Sequence, residues 1–231
     1  GEEVHFVHQG RGRFETDYGV LPYEPGDYVV IPKGTTYRTH VDSGPSFFLV
    51  VETPVAMVVP ERGALGQHAL FDKGVLLAPE LKPVEPVGTA GRTWEVHVKH
   101  EGGWTKVIYP FYPMDVVGWK GDLWVAKLNV RDIRPVVSPR YHLPPSVHQT
   151  FQAGGCLIST FVPRPLESDP EALHIPFYHR NTDYDEVLFY HDGEFFSRSG
   201  IRPGMLTLHP QSIHHGPQPQ AVQASKVKTH T

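Results

Sequence analysis

The sequence predicts an all-β protein, and three observations carry the prediction. Its 231 residues include 23 prolines and 22 glycines, spread along the chain and not clustered. Between them lie short apolar runs, several alternating apolar with polar residues, the period of a strand with one buried face. One strand–turn–strand pattern occurs twice, once at the start and once near residue 186.

The elements follow in chain order. Residues 3–8 read as a strand, Gly10-Arg11-Gly12 as a turn, and residues 14–21 as a second strand leading to Pro25-Gly26. Residues 28–31 and 47–51 are further apolar strands, the first followed by Pro32-Lys33-Gly34-Thr35. A chain that opens inside such a meander is expected to be part of a longer polypeptide. Residues 60–90 are rich in proline, glycine and charge, and read as loop. Alternation returns over residues 94–100 and 123–130, around an aromatic, proline-rich link at 109–113. Residues 163–176 read as irregular, except for a short helix over 169–173 with Asp169 at the cap and Pro170 in the first turn. The polar tail beyond Pro219 is expected to fray.

The repeat sharpens the fold. Glu3-Val4-His5-Phe6-Val7-His8-Gln9-Gly10 aligns with Glu186-Val187-Leu188-Phe189-Tyr190-His191-Asp192-Gly193, identical at five of eight positions. Downstream of each comes Pro-Gly, five residues and a proline: Pro25-Gly26 to Pro32, and Pro203-Gly204 to Pro210. Such a unit resembles half of a cupin motif, the small double-stranded β-helix or jelly-roll barrel. Two copies give a double cupin-like architecture with a few short helices. The expected domains are residues 1–138, without metal ligands and incomplete at the start, and residues 139–231, the catalytic domain.

Composition excludes several function classes. The formal charge is −4 and both signs are mixed along the chain, so no basic stripe marks a nucleic-acid surface. No apolar run approaches the ~20 residues of a membrane helix. The single cysteine, Cys156, cannot form an internal disulfide, which fits a reducing, cytoplasmic setting.

The 15 histidines point to metal or acid–base chemistry. The second copy has His179-Arg180-Asn181 ahead of Glu186, and His214-His215-Gly216-Pro217 after its last proline, whereas Pro32 of the first copy is followed by no histidine. Two histidines and one carboxylate on one face of an iron leave three positions open, the arrangement of non-heme iron(II) oxygenases. His179, Glu186 and His215 are candidates for it. His214 and His215, being adjacent, point to opposite faces of an extended chain, so only one can ligate. Residue pattern alone leaves a second reading open, a strand-end glutamate beside a surface histidine pair.

In these motifs and their order the chain resembles the homogentisate 1,2-dioxygenase family. The resemblance rests on Pro176-Phe177-Tyr178-His179-Arg180-Asn181, Glu186, Leu208-His209 and His215-Gly216-Pro217. Asp115-Val116-Val117-Gly118-Trp119 with Gly121, and His142 with Pro145-Ser146, extend it upstream. It implies an iron(II) enzyme of tyrosine and phenylalanine catabolism that opens the ring of homogentisate with dioxygen to give maleylacetoacetate. It implies His179, Glu186 and His215 as iron ligands, His142 as the acid/base that takes the phenolic proton, and His209 close outside the ligands. It also implies a homo-oligomer, a trimer or hexamer. The chain departs from the family in two places. The loop from His179 is one residue longer, so Asp185 competes with Glu186, and the repeat register favours Glu186. Phe195, with Tyr190 nearby, stands where the family has a tyrosine that contacts the substrate carboxylate. A dioxygenase for gentisate or another hydroxylated aromatic acid, and a non-catalytic small-molecule-binding double cupin, therefore stay open. His148 has no counterpart in the resemblance and reads as an ordinary polar loop residue.

Overall fold

The computed structural model describes residues 1–86, 88, 90–118, 121 and 123–231. Trp119, part of the upstream motif, lies outside the described residues. The chain divides into two compact units, residues 1–132 with 150–158, and residues 133–149 with 159–231. The protein is all-β and cupin-like.

The first unit is organised by β1 (Glu2–Thr16), which pairs antiparallel with β2 (Gly19–Tyr23), β3 (Asp27–Ile31) and β4 (Tyr37–Thr53). The start of β1 lies between β3 and β4, and its end between β2 and β4. Gly10–Gly12, expected to be a turn, lies inside the strand. Register shifts between Val7 and Gly12 accommodate the extra residues as bulges, and Gly10 has φ 96°. The real turn comes later, where Thr16 Oγ1 accepts from Tyr18 N and donates to Gly19 O, splitting the strand expected over 14–21.

Alternate residues of these strands meet on one face. Val7, Phe14, Leu21, Tyr23, Val29, Ile31 and Val125 form the core, with Tyr18, Tyr37 and Phe48 against it. Further along, β5 (Trp94–His100) and β6 (Gly103–Tyr109) make a hairpin, and of the aromatic link expected over 109–113 only Tyr109 joins a strand. β7 (Ala126–Asn129) joins β3. Buried Asp27 ties the turn between β2 and β3 to β7, accepting from Glu24 N, Lys127 Nζ and Asn129 Nδ2 at 2.8–2.9 Å. β8 (Gln149–Ala153) and β9 (Cys156–Ser159) form another hairpin, and Val58 bridges to Gln152.

The second unit has less regular structure. Its only named two-stranded sheet among the described residues is β10 (Glu186–Phe189) paired with β11 (Leu206–His209). The helix expected over 169–173 is a single turn. Asp169 Oδ1 accepts from Glu171 N and Asp169 O from Ala172 N, and no further helical bond extends it. The tail does not fray. It forms α1 (Pro219–Ser225) and returns to residues 164–166, where Leu166 N donates to Thr229 O and Thr231 N to Arg164 O, both at 2.9 Å. Unpaired backbone groups in the irregular link drive that docking. No helix among the described residues is long and apolar enough to cross a membrane.

Candidate metal centre

The two repeats fold in the same register. In the first, Glu3 lies opposite Ile31 and Phe6 opposite Tyr28. In the second, Glu186 lies opposite His209 and Phe189 opposite Leu206. The same backbone bond closes both turns, Gly26 N to Val7 O at 2.8 Å and Gly204 N to Tyr190 O at 2.7 Å. Gly26 and Gly204 have φ of 86° and 85°, a conformation side chains resist. After the proline a third equivalence holds, Thr35 N to Pro32 O and Ile213 N to Pro210 O. Tyr37 of the first copy thus stands where His215 stands in the second.

Cross-strand pairing gathers the second copy's polar side chains. His179 and His215 form an antiparallel bridge, each N–H donating to the other's carbonyl at 2.9 Å. Directly opposed residues present side chains on one face, so both imidazoles point the same way. Gly216 permits the approach, because a Cβ there would lie 2.5 Å from a Tyr178 ring carbon and 2.9 Å from its Cα. The Glu186–His209 pair supplies two more side chains on the adjoining strands.

Ligand atoms of His179, Glu186 and His215 all lie within 4.8 Å of one another. His179 Nε2 is 3.1 Å from His215 Nε2, which is 3.7 Å from Glu186 Oε2. Nδ1 of His215 donates to Ile213 O at 2.9 Å and Nδ1 of His179 to Phe177 O at 3.3 Å. Those bonds leave a lone pair on each Nε2, facing the other. Two lone pairs so close repel unless a cation lies between them. Ligands in adjacent octahedral positions at ~2.1 Å from a metal would sit ~3.0 Å apart, which the 3.1 Å between the two histidine nitrogens matches, while Glu186 Oε2, at 3.7 Å from His215, would have to move closer. The donor set, two imidazoles and a carboxylate, therefore fits a first-row divalent metal.

His209 sits directly behind. Its ring stacks on His215 at 4.3 Å, with an interplanar angle of 27°. Arg198 donates to His209 Nε2 at 3.1 Å, and Nδ1 lies 2.7 Å from Glu186 Oε2. A guanidinium can only donate, so Nε2 must accept and Nδ1 must carry the proton given to Glu186. Arg198 was not identified from sequence, since a lone arginine in an irregular loop carries no periodic signal. Asp185 is exposed and accepts from Gln211 N at 2.7 Å, so Glu186 is the carboxylate turned to the histidines. His214 is exposed, on the other side of the strand from His215.

Tyr190 continues the Glu186 face of β10. It is buried, with its hydroxyl 3.2 Å from Thr207 Oγ1 and its ring against Phe195 at 4.8 Å. His142 reaches the ligands through one ring, lying edge-on to Phe177 at 4.9 Å, which in turn lies 5.4 Å from His179. His142 Nδ1 is 3.2 Å from Glu167 Oε1, another residue the sequence reading did not single out. His142 also lines an open depression of about 420 Å³ with Arg140, Tyr141, Glu171, Ala172 and Leu173. His148, expected to be a polar loop residue, is instead 2 % exposed at the end of the 3₁₀ turn Pro145–His148, its ring against Phe161. Burial, with the charges of Arg164 and His142, lowers its pKa to about 4.

Residues 1–129 match the family model for the N-terminal part of homogentisate 1,2-dioxygenase. A protein of Saccharolobus solfataricus that carries a provisional dioxygenase name is 35% identical over 231 residues, covering 100% of this chain and 59% of that protein. Homogentisate 1,2-dioxygenases of Nitrobacter hamburgensis and Pseudomonas savastanoi pv. phaseolicola are 29% and 27% identical, over 95% and 100% of this chain and 50% and 54% of theirs. The chain thus spans between 50% and 59% of the length of these relatives. With the matched family model covering more than half of it, the chain belongs to the homogentisate 1,2-dioxygenase family.

Proposed function

We propose that this protein is an iron(II)-dependent dioxygenase that opens the aromatic ring of homogentisate to maleylacetoacetate. The observation that carries the reading is the convergence of His179, Glu186 and His215 within 4.8 Å, with both histidine Nε2 lone pairs turned inward. The names of the relatives supply the substrate. Iron(II) held by three protein atoms would keep positions open for a phenolate and dioxygen, bringing the two reactants together and passing charge between them.

The chain's own residues would do the rest. Glu186 contributes negative charge, and His209 orients it through the 2.7 Å bond that Arg198 secures from behind. Orientation of this kind keeps a ligand's lone pair aimed and its basicity high. His142 would take the phenolic proton, holding it on Nε2 while Nδ1 stays turned to Glu167. Phe177, against both His142 and His179, would exclude water between the base and the ligands. Tyr190 and Phe195 would line the substrate side, and self-association into a trimer or hexamer belongs to the same proposal.

The test is oxygen uptake after anaerobic reconstitution with iron(II), with homogentisate and gentisate in parallel and His179→Ala as control. Uptake with homogentisate, ring-opened product and loss in the variant is the expected result. Uptake with gentisate alone would keep the chemistry and replace the substrate. Iron binding at these residues without uptake of oxygen on either acid would sink the enzyme reading.

A further inference from the structure

We infer that Glu167 is a positioning residue for His142, selecting the imidazole tautomer that leaves Nε2 free to accept a proton. This rests on the reading of His142 as the acid/base of the reaction.

A carboxylate is costly to bury unless it meets a partner. The Glu167 side chain is 7% exposed, yet it takes no part in the ligand cluster or in a strand. Its close polar contact is Oε1 to His142 Nδ1 at 3.2 Å, while Oε2 is buried with no hydrogen-bond partner. A residue kept there only for the fold would be better replaced by an apolar one of similar volume.

The backbone holds the two residues in register. Ser168 N and Asp169 N, just after Glu167, both donate to Pro139 O at 2.9 Å, just before His142. Leu166 N, on the other flank, donates to Thr229 O at 2.9 Å, and Pro165 bridges to His230. Residues 164–168 are therefore clamped between the His142 segment and the returning tail. A polar-walled cavity of about 10 Å³ beside Glu167, also lined by Ser138, Arg164 and Pro165, has room for at most about one water. The charge of Arg164 reaches Glu167 and offsets part of the cost of burying the carboxylate.

An ionised carboxylate only accepts, so the imidazole nitrogen facing it must carry the proton. His142 is then the Nδ1–H tautomer with its lone pair on Nε2. Without Glu167 the ring could carry its proton on either nitrogen, and one arrangement would block the Nε2 acceptor.

The tautomer can be read without turnover. The full chain, labelled with [15N]histidine and loaded with diamagnetic zinc, would be studied at about pH 8.5, two units above the ordinary imidazole value. The expected spectrum shows His142 protonated on Nδ1, and Glu167→Leu moves the proton predominantly to Nε2. In the iron-loaded chain, Glu167→Leu is expected to lower kcat for oxygen uptake roughly 10- to 100-fold while KM changes less than about threefold, with partial recovery in Glu167→Asp. A wild-type His142 protonated on Nε2 would overturn the inference, and that measurement needs no variant to fold. An unchanged tautomer in a folded Glu167→Leu chain would overturn it equally. A wild-type chain with the Nδ1–H tautomer and no activity would sink the proposed reaction and leave the pairing of Glu167 with His142 standing.

Discussion

The two copies of the repeat share a backbone and differ in what they place on it. Both put a glutamate at the head of the first strand, opposite the last residue of the strand after the Pro-Gly turn. In the first copy that opposite residue is Ile31, and the residue standing where His215 would be is Tyr37. Tyr37 donates to Glu3 Oε2 at 2.7 Å, and His5 Nε2 lies 2.7 Å from the same oxygen. His5 itself is caged by Phe14, Tyr37 and Phe48, with ring centroids 5.3–6.1 Å away. Glu3 is saturated by local donors, and His5 above all holds its pKa below the usual carboxylate range. In the second copy Glu186 is served by His209 alone and faces two histidines that have no proton to offer on the facing nitrogens. One frame thus makes a closed core or an open ligand set, according to whether its inward residues can satisfy each other.

The largest expected effect tests that contrast directly. Glu186→Gln should weaken binding of iron(II) or zinc(II) at least ~100-fold, since the anionic ligand is lost and His209 faces a neutral acceptor in place of a charged one. Glu3→Gln should leave metal affinity unchanged and cost about 1–3 kcal/mol of stability, because His5 and Tyr37 lose a charged acceptor. Calorimetric metal titration and urea unfolding of both variants read the two outcomes. Equal loss of metal in both would break the comparison.

A second expectation concerns the outer faces. Val4 and Val187 are equivalent, yet Val4 is 1% exposed and Val187 54%. The neighbours follow suit, with Val30 8% exposed and Leu208 57%. Val4→Ala should therefore cost about 2 kcal/mol in urea unfolding, and Val187→Ala less than about 0.5 kcal/mol. A large cost at Val187 would mean that its face is covered in solution.

The repeat was legible because its signals are local. A glycine needing positive φ after proline, and a strand keeping glutamate, valine and phenylalanine in fixed order, survive in the sequence whatever packs around them. The same register favours Glu186 over Asp185, whereas the full ligand set followed only from the family resemblance, because spacing alone also allowed a strand-end glutamate beside a surface histidine pair. Other features depend on partners far along the chain. Gly10–Gly12 has the composition of a turn, but pairing with both flanks of β1 makes it a bulge. The tail has the composition of a frayed end, but residues 164–166 offer it backbone partners. Glu167 and Arg198 are single charges in irregular segments, and only the fold reveals that each meets a histidine. His148 looks polar in sequence and is buried because the chain around it closes on Phe161.

Arg198 offers a smaller effect that sharpens the account of the centre. Arg198→Ala removes the donor that fixes the His209 tautomer, without touching a ligand atom. Metal affinity should fall about tenfold, and Arg198→Lys should restore most of it. The Phe195→Tyr variant gives a useful contrast, because it adds a hydroxyl beside Tyr190 and should leave metal affinity unchanged. An Arg198→Ala chain that binds metal normally would show that Glu186 needs no such support.

The smallest effect separates the units by their response to acid. His148 has a folded pKa of about 4, below the ordinary imidazole value. Between those limits the unfolded chain binds more protons than the folded one, so stability falls as pH drops from about 6.5 towards 4. Solvent screening leaves a contribution on the order of 1 kcal/mol. Glu3, with its pKa lowered in the fold, contributes stability that is present above its unfolded value and is lost only as pH falls through its lower folded value. The unit holding His148 should therefore loosen first on acidification. Hydrogen exchange of peptides around residues 145–148 and 159–161 should quicken by pH 5, while peptides from β1 and β3 keep their protection. His148→Leu should flatten the first response and leave the second alone. Simultaneous loss of protection in both regions would show that acid opens the two units together and that buried His148 does not set the order.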